Sequence, residues 1–194
     1  MIKLRWIFLA VNLVLVVGLF FLGRERGFYF WKVSDTAVQT YGAVPDFLLT
    51  ERDGSQVSLS SLKNKVWIAD FIFARCAGQC PLMSQKMSAL QDKIKNAYFV
   101  SFTVDPENDT PAILSDYAKI YHADPSCWFF LTGDKETLNR VAQGFHVTGL
   151  DEPMFHSAKF ILVDKKGQIR GYYDTDDSES LKRLKADAHE LVNR

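Results

Sequence analysis

The chain opens on one long apolar run and then breaks into short blocks whose apolar spacing switches between strand-like and helix-like. The run Trp6 to Leu22, "WIFLAVNLVLVVGLFFL", carries no charge, and only Asn12 and Gly18 interrupt it. A membrane-spanning helix needs ~20 residues, and Arg5 and Arg24 can snorkel to relieve a small shortfall. No small-residue cleavage pattern follows in "GRERGFYFW", so an uncleaved transmembrane helix is predicted rather than a signal peptide. Residues 1–23 are thus read as a cytoplasmic tip and membrane anchor, residues 24–40 as a tether, and residues 41–194 as one folded domain. The aromatic cluster Phe28 to Trp31 in the tether suits a membrane interface.

Within the domain, "DFLLT" and "SQVSL" flank "ERDG" and predict a hairpin. "KVWIADFIF" reads as a buried strand, and a helix is predicted from Pro81. Met83, Met87, Leu90 and Ile94 are spaced four, three and four residues apart, which makes one apolar helical face. "AYFVSFTV" is the next strand. Thr110 is placed to cap a helix that starts at Pro111. "CWFFLT" gives a third strand, and Asp134 caps "KETLNRVAQ", ending near Gly144. "AKFILVD" and "QIRGYYD" around "KKG" form a second hairpin, and "SESLKRLKADAHELV" a last helix.

Strands alternating with helices require parallel pairing by right-handed crossovers, while the two hairpins must pair antiparallel. The expected class is α/β, a thioredoxin-like mixed β-sheet flanked by helices. Sites in open α/β sheets gather at the carboxyl ends of the parallel strands. Cys76, Cys80 and Asp105 all lie just past such ends.

Charge narrows the partners. Lys+Arg and Asp+Glu both number 23, so no broad basic surface for nucleic acid is implied. Of the three cysteines, Cys127 falls in a strand pattern and reads as a small buried hydrophobe. Cys76 and Cys80 form a local pair. A helix beginning at Pro81 puts Cys80 at or near its N-cap, where unpaired N–H groups and the helix dipole favour the thiolate. A bridge closing so short a loop is a poor structural staple. A redox pair and a metal site both remain. Two soft thiolates suit Cu(I) or zinc, and an imidazole would complete a small copper site. Of the four histidines, His122 and His189 lie in polar helical stretches, while His146 and His156 flank the loop "VTGLDEPMF". His156 sits just ahead of a strand and is the better anchored. Met83 and Met87 match the buried helix face and are expected in the core rather than on a metal.

The signature C-x-x-x-C-P from Cys76 to Pro81, "TVDPENDTP", "WFFLTGD" and a histidine ahead of "FILVDKKGQI" together resemble the Sco/SenC family of copper-binding, thioredoxin-like membrane proteins. The resemblance runs roughly from Tyr41 to Asp174. It implies copper, as Cu(I) or Cu(II), on Cys76, Cys80 and His156. It also implies a role in assembling the dinuclear copper site of cytochrome c oxidase, as copper chaperone or thiol reductant, with subunit II or another copper-receiving membrane protein as partner. The implied location is the cell inner membrane, single-pass, with the domain on the periplasmic side. The acidic position of the "DP" motif maps onto Asp105, for which a loop cap is as good a role as a direct one. Family members often carry proline after the first cysteine and aspartate before the histidine; here Ala77 and Phe155 stand there, bordering the surface a partner would touch. The competing expectations are an extracytoplasmic thiol–disulfide oxidoreductase using Cys76 and Cys80 and, related by fold alone, a peroxide-reducing thiol enzyme.

Overall fold

The structure, a computed structural model, describes residues 39–147 and 158–194. The apolar run Trp6–Leu22, nearly all of the tether, Phe155 and His156 lie outside the described residues. Among the described residues no helix is long and apolar enough to cross a membrane.

The elements follow the hydrophobic pattern closely. In chain order they are β1 (Gly42–Ala43), β2 (Leu48–Glu51), β3 (Gln56–Ser58), a single 3₁₀ turn (Leu59–Leu62), β4 (Val66–Ile72), α1 (Gln79–Gln91), β5 (Ala97–Thr103), α2 (Pro111–Ile120), β6 (Trp128–Thr132), α3 (Lys135–Gly144), β7 (Lys159–Val163), β8 (Gln168–Asp174) and α4 (Ser178–Asn193). The described strands form one sheet in the order β1-β8-β7-β4-β5-β6-β2-β3. β4, β5 and β6 are parallel, as the intervening helices require. The hairpins β2–β3 and β7–β8 join antiparallel on opposite flanks, through β2 on β6 and β7 on β4. The β7–β8 turn needs a left-handed residue, and Gly167 supplies it at φ 76°. β1 is an addition the spacing did not predict: two residues laid antiparallel on β8.

Period-two alternation sends each central strand's side chains to two separate cores. Val66, Ile68 and Ile72 of β4 meet α1, α2 and α4 on one face, with Cys76, Cys80, Met83, Met87 and Tyr117. Trp67 and Ala69 face the other way, toward α3, with Phe102, Leu138, Val141 and Phe145. This mixed sheet with helices on both faces is the thioredoxin-like arrangement.

The helix starts show the chemistry expected of them. The Ile113 N–H donates to the Thr110 hydroxyl at 3.4 Å, and the Thr137 N–H to Asp134 Oδ1 at 2.8 Å. α1 differs, because it starts at Gln79 rather than Pro81, and its N-cap Gly78 has no side chain to offer. Proline is tolerated anywhere in a first turn, where the N–H has no intrahelical partner, so Pro81 marks the helix start only to within a turn.

Candidate functional site

The site is the connection from β4 to α1, at the carboxyl ends of the parallel strands. Beyond Ile72 the chain leaves the sheet, and the Cys76 N–H closes a turn onto the Phe73 carbonyl at 3.2 Å. The Gly78 N–H then donates to Cys76 Sγ at 3.4 Å. The uncapped start of α1 is therefore served by a sulfur where other helices use a Ser, Thr or Asp oxygen. Both cysteines are nearly enclosed, Cys76 at 9% exposure and Cys80 at 7%, and they share one core with Met83 and Met87. Both thiols are free.

Their protonation differs, and here the structure corrects the sequence reading. Burial works to raise the Cys76 thiol. The backbone N–H groups of Cys80, Gly78 and Gln79, with the Cys80 thiol, converge on its sulfur and hold it below the ordinary thiol value. Burial pushes Cys80 up to about 12; a backbone hydrogen bond from Phe73 opposes the rise, while its bond to Cys76 and the charges of Cys76 and Asp70 add to it. Cys80 is already the second residue of α1, inside the core, so the donors at the helix start meet Cys76 instead. Cys76 is the thiolate-forming member, and Cys80 carries the proton between them.

Beneath the pair lies a polar floor that the sequence reading passed over. Asp70, fully buried in mid-β4, stands on the same face as Cys80, opposite Ser101 of β5. Burial pushes its carboxyl up to about 7, tempered by the Ser101 hydroxyl. That hydroxyl also accepts the Trp128 indole N–H at 3.0 Å, and neither Asp70 oxygen reaches a properly oriented hydrogen bond among the described residues. Nearby, the Ser84 and Tyr117 hydroxyls share a hydrogen bond of 2.8 Å, and Tyr117 is raised by burial, with the charges of Asp70 and Cys80 contributing. The visible signal was a lone carboxylate inside "KVWIADFIF".

The loop after β5 adds a second set of polar contacts. Asp105 accepts from Asn108 Nδ2 at 2.8 and 3.0 Å and lies 3.4 Å from the Arg75 guanidinium, which makes it a loop-closing acceptor. Asp109, which the sequence reading did not single out, is the buried acid of that motif.

The remaining candidates separate. His146 is exposed, its Nε2 3.3 Å from the Tyr41 carbonyl. His122 and His189 are exposed as well. Cys127 is half-buried one residue before β6, with its thiol raised by burial. Among the described residues no group of three or more His, Cys, Asp or Glu side chains could hold a metal ion. The described donors are therefore two sulfurs, one favoured as thiolate, which is the chemistry of a soft-metal or redox pair.

The sequence profile of the SCO1/SenC family matches residues 36–193. The SCO1 protein homolog of Bacillus subtilis (strain 168) is 37% identical over 142 residues, 68% of this chain and 73% of that protein. The solved structure of BsSco, described as a member of the Sco family of cytochrome c oxidase assembly proteins with a disulfide switch, superposes with a TM-score of 0.69 at 32% identity. The match covers 79% of this chain and 98% of that one. Arabidopsis thaliana ScoI, solved with copper bound, gives a TM-score of 0.65 at 26% identity, covering 77% of this chain and 99% of that one.

Proposed function

The chain belongs to the SCO1/SenC family, and from that premise we propose that it binds copper through Cys76, Cys80 and His156 and serves assembly of the dinuclear copper site of cytochrome c oxidase. Its role there is to deliver copper to subunit II or to reduce that subunit's cysteines. The observation that carries the proposal is the buried pair itself, in which Cys76 is favoured as thiolate and Cys80 holds its proton against it. Cys76 offers the first soft donor, and Cys80 releases its proton as it becomes the second. His156 supplies the imidazole. In support of that assignment, β7 runs antiparallel to β4 with Ala69 opposite Ile161, so β7 begins beside the carboxyl end of β4. Ala158 packs against the core that contains both cysteines. His156 is two residues away, a reach of ~7 Å of extended chain.

The test is copper titration of the purified protein under reducing and oxidising conditions. Cys76→Ser and Cys80→Ser should each damage Cu(I) and Cu(II) binding. His156→Ala should weaken Cu(II) far more than Cu(I), because Cu(II) gains more from imidazole. His146→Ala should change neither. Loss of Cu(II) in the His146 variant with retention in the His156 variant would overturn the ligand assignment.

A second reading, an extracytoplasmic thiol–disulfide oxidoreductase, is favoured by the same asymmetry, since a thiolate beside a protonated partner is a nucleophile with its resolving thiol. Catalytic reduction of a model disulfide by metal-free protein would establish it, and a stoichiometric copper complex that survives desalting would favour the first. We place the domain outside the cytoplasm, tethered to the inner membrane by the Trp6–Leu22 run. A periplasm-dependent reporter fused after Arg194 should be active; activity of a cytoplasm-dependent reporter at that junction would sink the placement.

A further inference from the structure

The polar contacts of the loop that carries Cys76 lead to one residue outside the pair. Asp109, in the β5–α2 loop, is fully buried. Its two carboxylate oxygens accept the Ala74 N–H at 3.1 and 3.3 Å, and one of them also accepts the Thr103 hydroxyl at 2.5 Å. The same Thr103 oxygen accepts the Asp105 N–H at 3.0 Å, and the Asp109 N–H returns to the Asp105 carbonyl at 2.8 Å. Ala74 lies two residues before Cys76, where the ladder of β4 has ended.

The two cysteines are held in unlike ways. Cys80 is fixed by a helix. Cys76 sits in a loop, followed by Ala77 and the side-chain-free Gly78, and whatever fixes that loop fixes the distance between the sulfurs. Leaving a buried amide N–H without an acceptor costs the full desolvation penalty of that group, so the Asp109 oxygens, held by the Thr103 hydroxyl, fix where the Ala74 amide sits. We propose that Asp109 is a positioning residue for the Cys76–Cys80 pair: held by Thr103, its carboxylate clamps the Ala74 amide and keeps Cys76 within reach of Cys80. The inference deepens the reading of the pair as the working site and rests on it.

The clamp sets the effective concentration of one sulfur at the other, which a dithiol–disulfide equilibrium measures. When the Cys76–Cys80 bond forms, the two thiols give up two protons and two electrons. Glutathione disulfide takes both as its own S–S bond breaks, leaving two glutathione thiols. The experiment is this equilibrium in the purified full chain, with hydrogen exchange at the Ala74 amide as a second readout. Asp109→Ala should lower the equilibrium constant for disulfide formation by about tenfold or more and strip Ala74 of its protection, since small misplacements of reacting groups cost ~100-fold in other sites. Asp109→Asn keeps a carbonyl oxygen for Ala74 and an amide that can donate to the Thr103 oxygen, so it should stay within about threefold of wild type. Leu138→Ala, in the core on the opposite face, should lower stability and leave both readouts unchanged.

If Asp109→Ala does not fold, Thr103→Val replaces it, removing the hydroxyl that holds the carboxylate and accepts the Asp105 N–H, with loss of Ala74 protection expected. A folded Asp109→Ala or Thr103→Val protein with both readouts at wild-type values would overturn the proposal, as would an equal shift in Leu138→Ala. Cu(I) titration of the wild type tests the copper reading separately. Failure to bind copper alongside the expected glutathione results would remove that reading and leave the clamp standing.

Discussion

On one face of β5, Phe102 is ringed by aromatic side chains: Phe71 at 5.3 Å between centroids, Phe47 at 5.5 Å, Phe145 at 5.7 Å and Trp67 at 6.5 Å. One residue earlier in the same strand, Ser101 faces the other way, toward Asp70 and the floor beneath the cysteines. The first face gains from burial and from ring contacts worth roughly 0.5–1.5 kcal/mol each beyond their area. The second holds groups that burial penalises: a carboxyl pushed up to about 7 and a thiol pushed up to about 12. A sheet of this kind lets the same strands build an aromatic core on one face and, on the other, set groups whose charge is unwelcome among apolar side chains that pack α1, α2 and α4.

The largest test of that division is Phe102→Ala, which should cost ~3–5 kcal/mol in urea unfolding while leaving the reactivity of Cys76 in the folded protein unchanged. Reactivity that fell in step with stability would show that the faces are not independent.

Asp70 tests the other face. Its folded pKa is raised, so it binds a proton in the native state at pH values where the unfolded chain has lost it. Wild-type stability should therefore fall, relative to Asp70→Asn, as pH climbs from about 4 to about 7, and level off above. The full difference is on the order of 4 kcal/mol at most, at about 1.4 kcal/mol per unit. Denaturation of both proteins at pH 4.5 and 7.5 measures it, and parallel pH profiles would mean that Asp70 is solvated after all.

Within the pair, iodoacetamide at neutral pH should modify Cys76 at least ~10-fold faster than Cys80, with peptide mapping as the readout. Faster labelling of Cys80 would reverse the assignment of thiolate and proton. The smallest effect belongs to Met87→Leu, a swap in the core that adjoins the cysteines, expected to cost under ~1.5 kcal/mol and to leave copper titration intact. Loss of copper affinity in the folded variant would make Met87 part of the site.

Elements governed by repetition or by a local cap were legible in the chain. Met83, Met87 and Leu90 line the buried face of α1 as their spacing predicts, Ile94 is buried in the turn just past the end of the helix, and Thr110 and Asp134 cap their helices. The cysteine pair was legible because only three residues separate its members and both lie past a strand. β1 was not, since two residues carry no period. The division of labour between Cys76 and Cys80 was not either, because proline marks a helix start only to within a turn, and that uncertainty decides which sulfur the free N–H groups meet. Asp70 and Asp109 were present as letters. Their weight comes from strand register and from burial, which arise only when β4 and β5 pair. His156 lies outside the described residues, and the ligand role proposed for it is supported by the family and by where β7 begins.

The sheet order also implies a sequence of events in time. β4, β5 and β6 pair between positions roughly 30 residues apart, whereas β7 on β4 and β2 on β6 join positions roughly 80 to 100 residues apart, and shorter loops close at lower entropic cost. The parallel centre, with the cysteine loop inside it, should therefore assemble first, and the flanking hairpins dock onto it later. Kinetic φ-values should be high in β4 and β5 and low in β2 and β8, and the reverse order would refute this. A newly made chain would then hold the loop with Cys76 and Cys80 beside β5 before β7 pairs with β4 and Phe160 and Leu162 complete the core around the two thiols, so the pair would be open to oxidants for a short time that the finished fold does not allow.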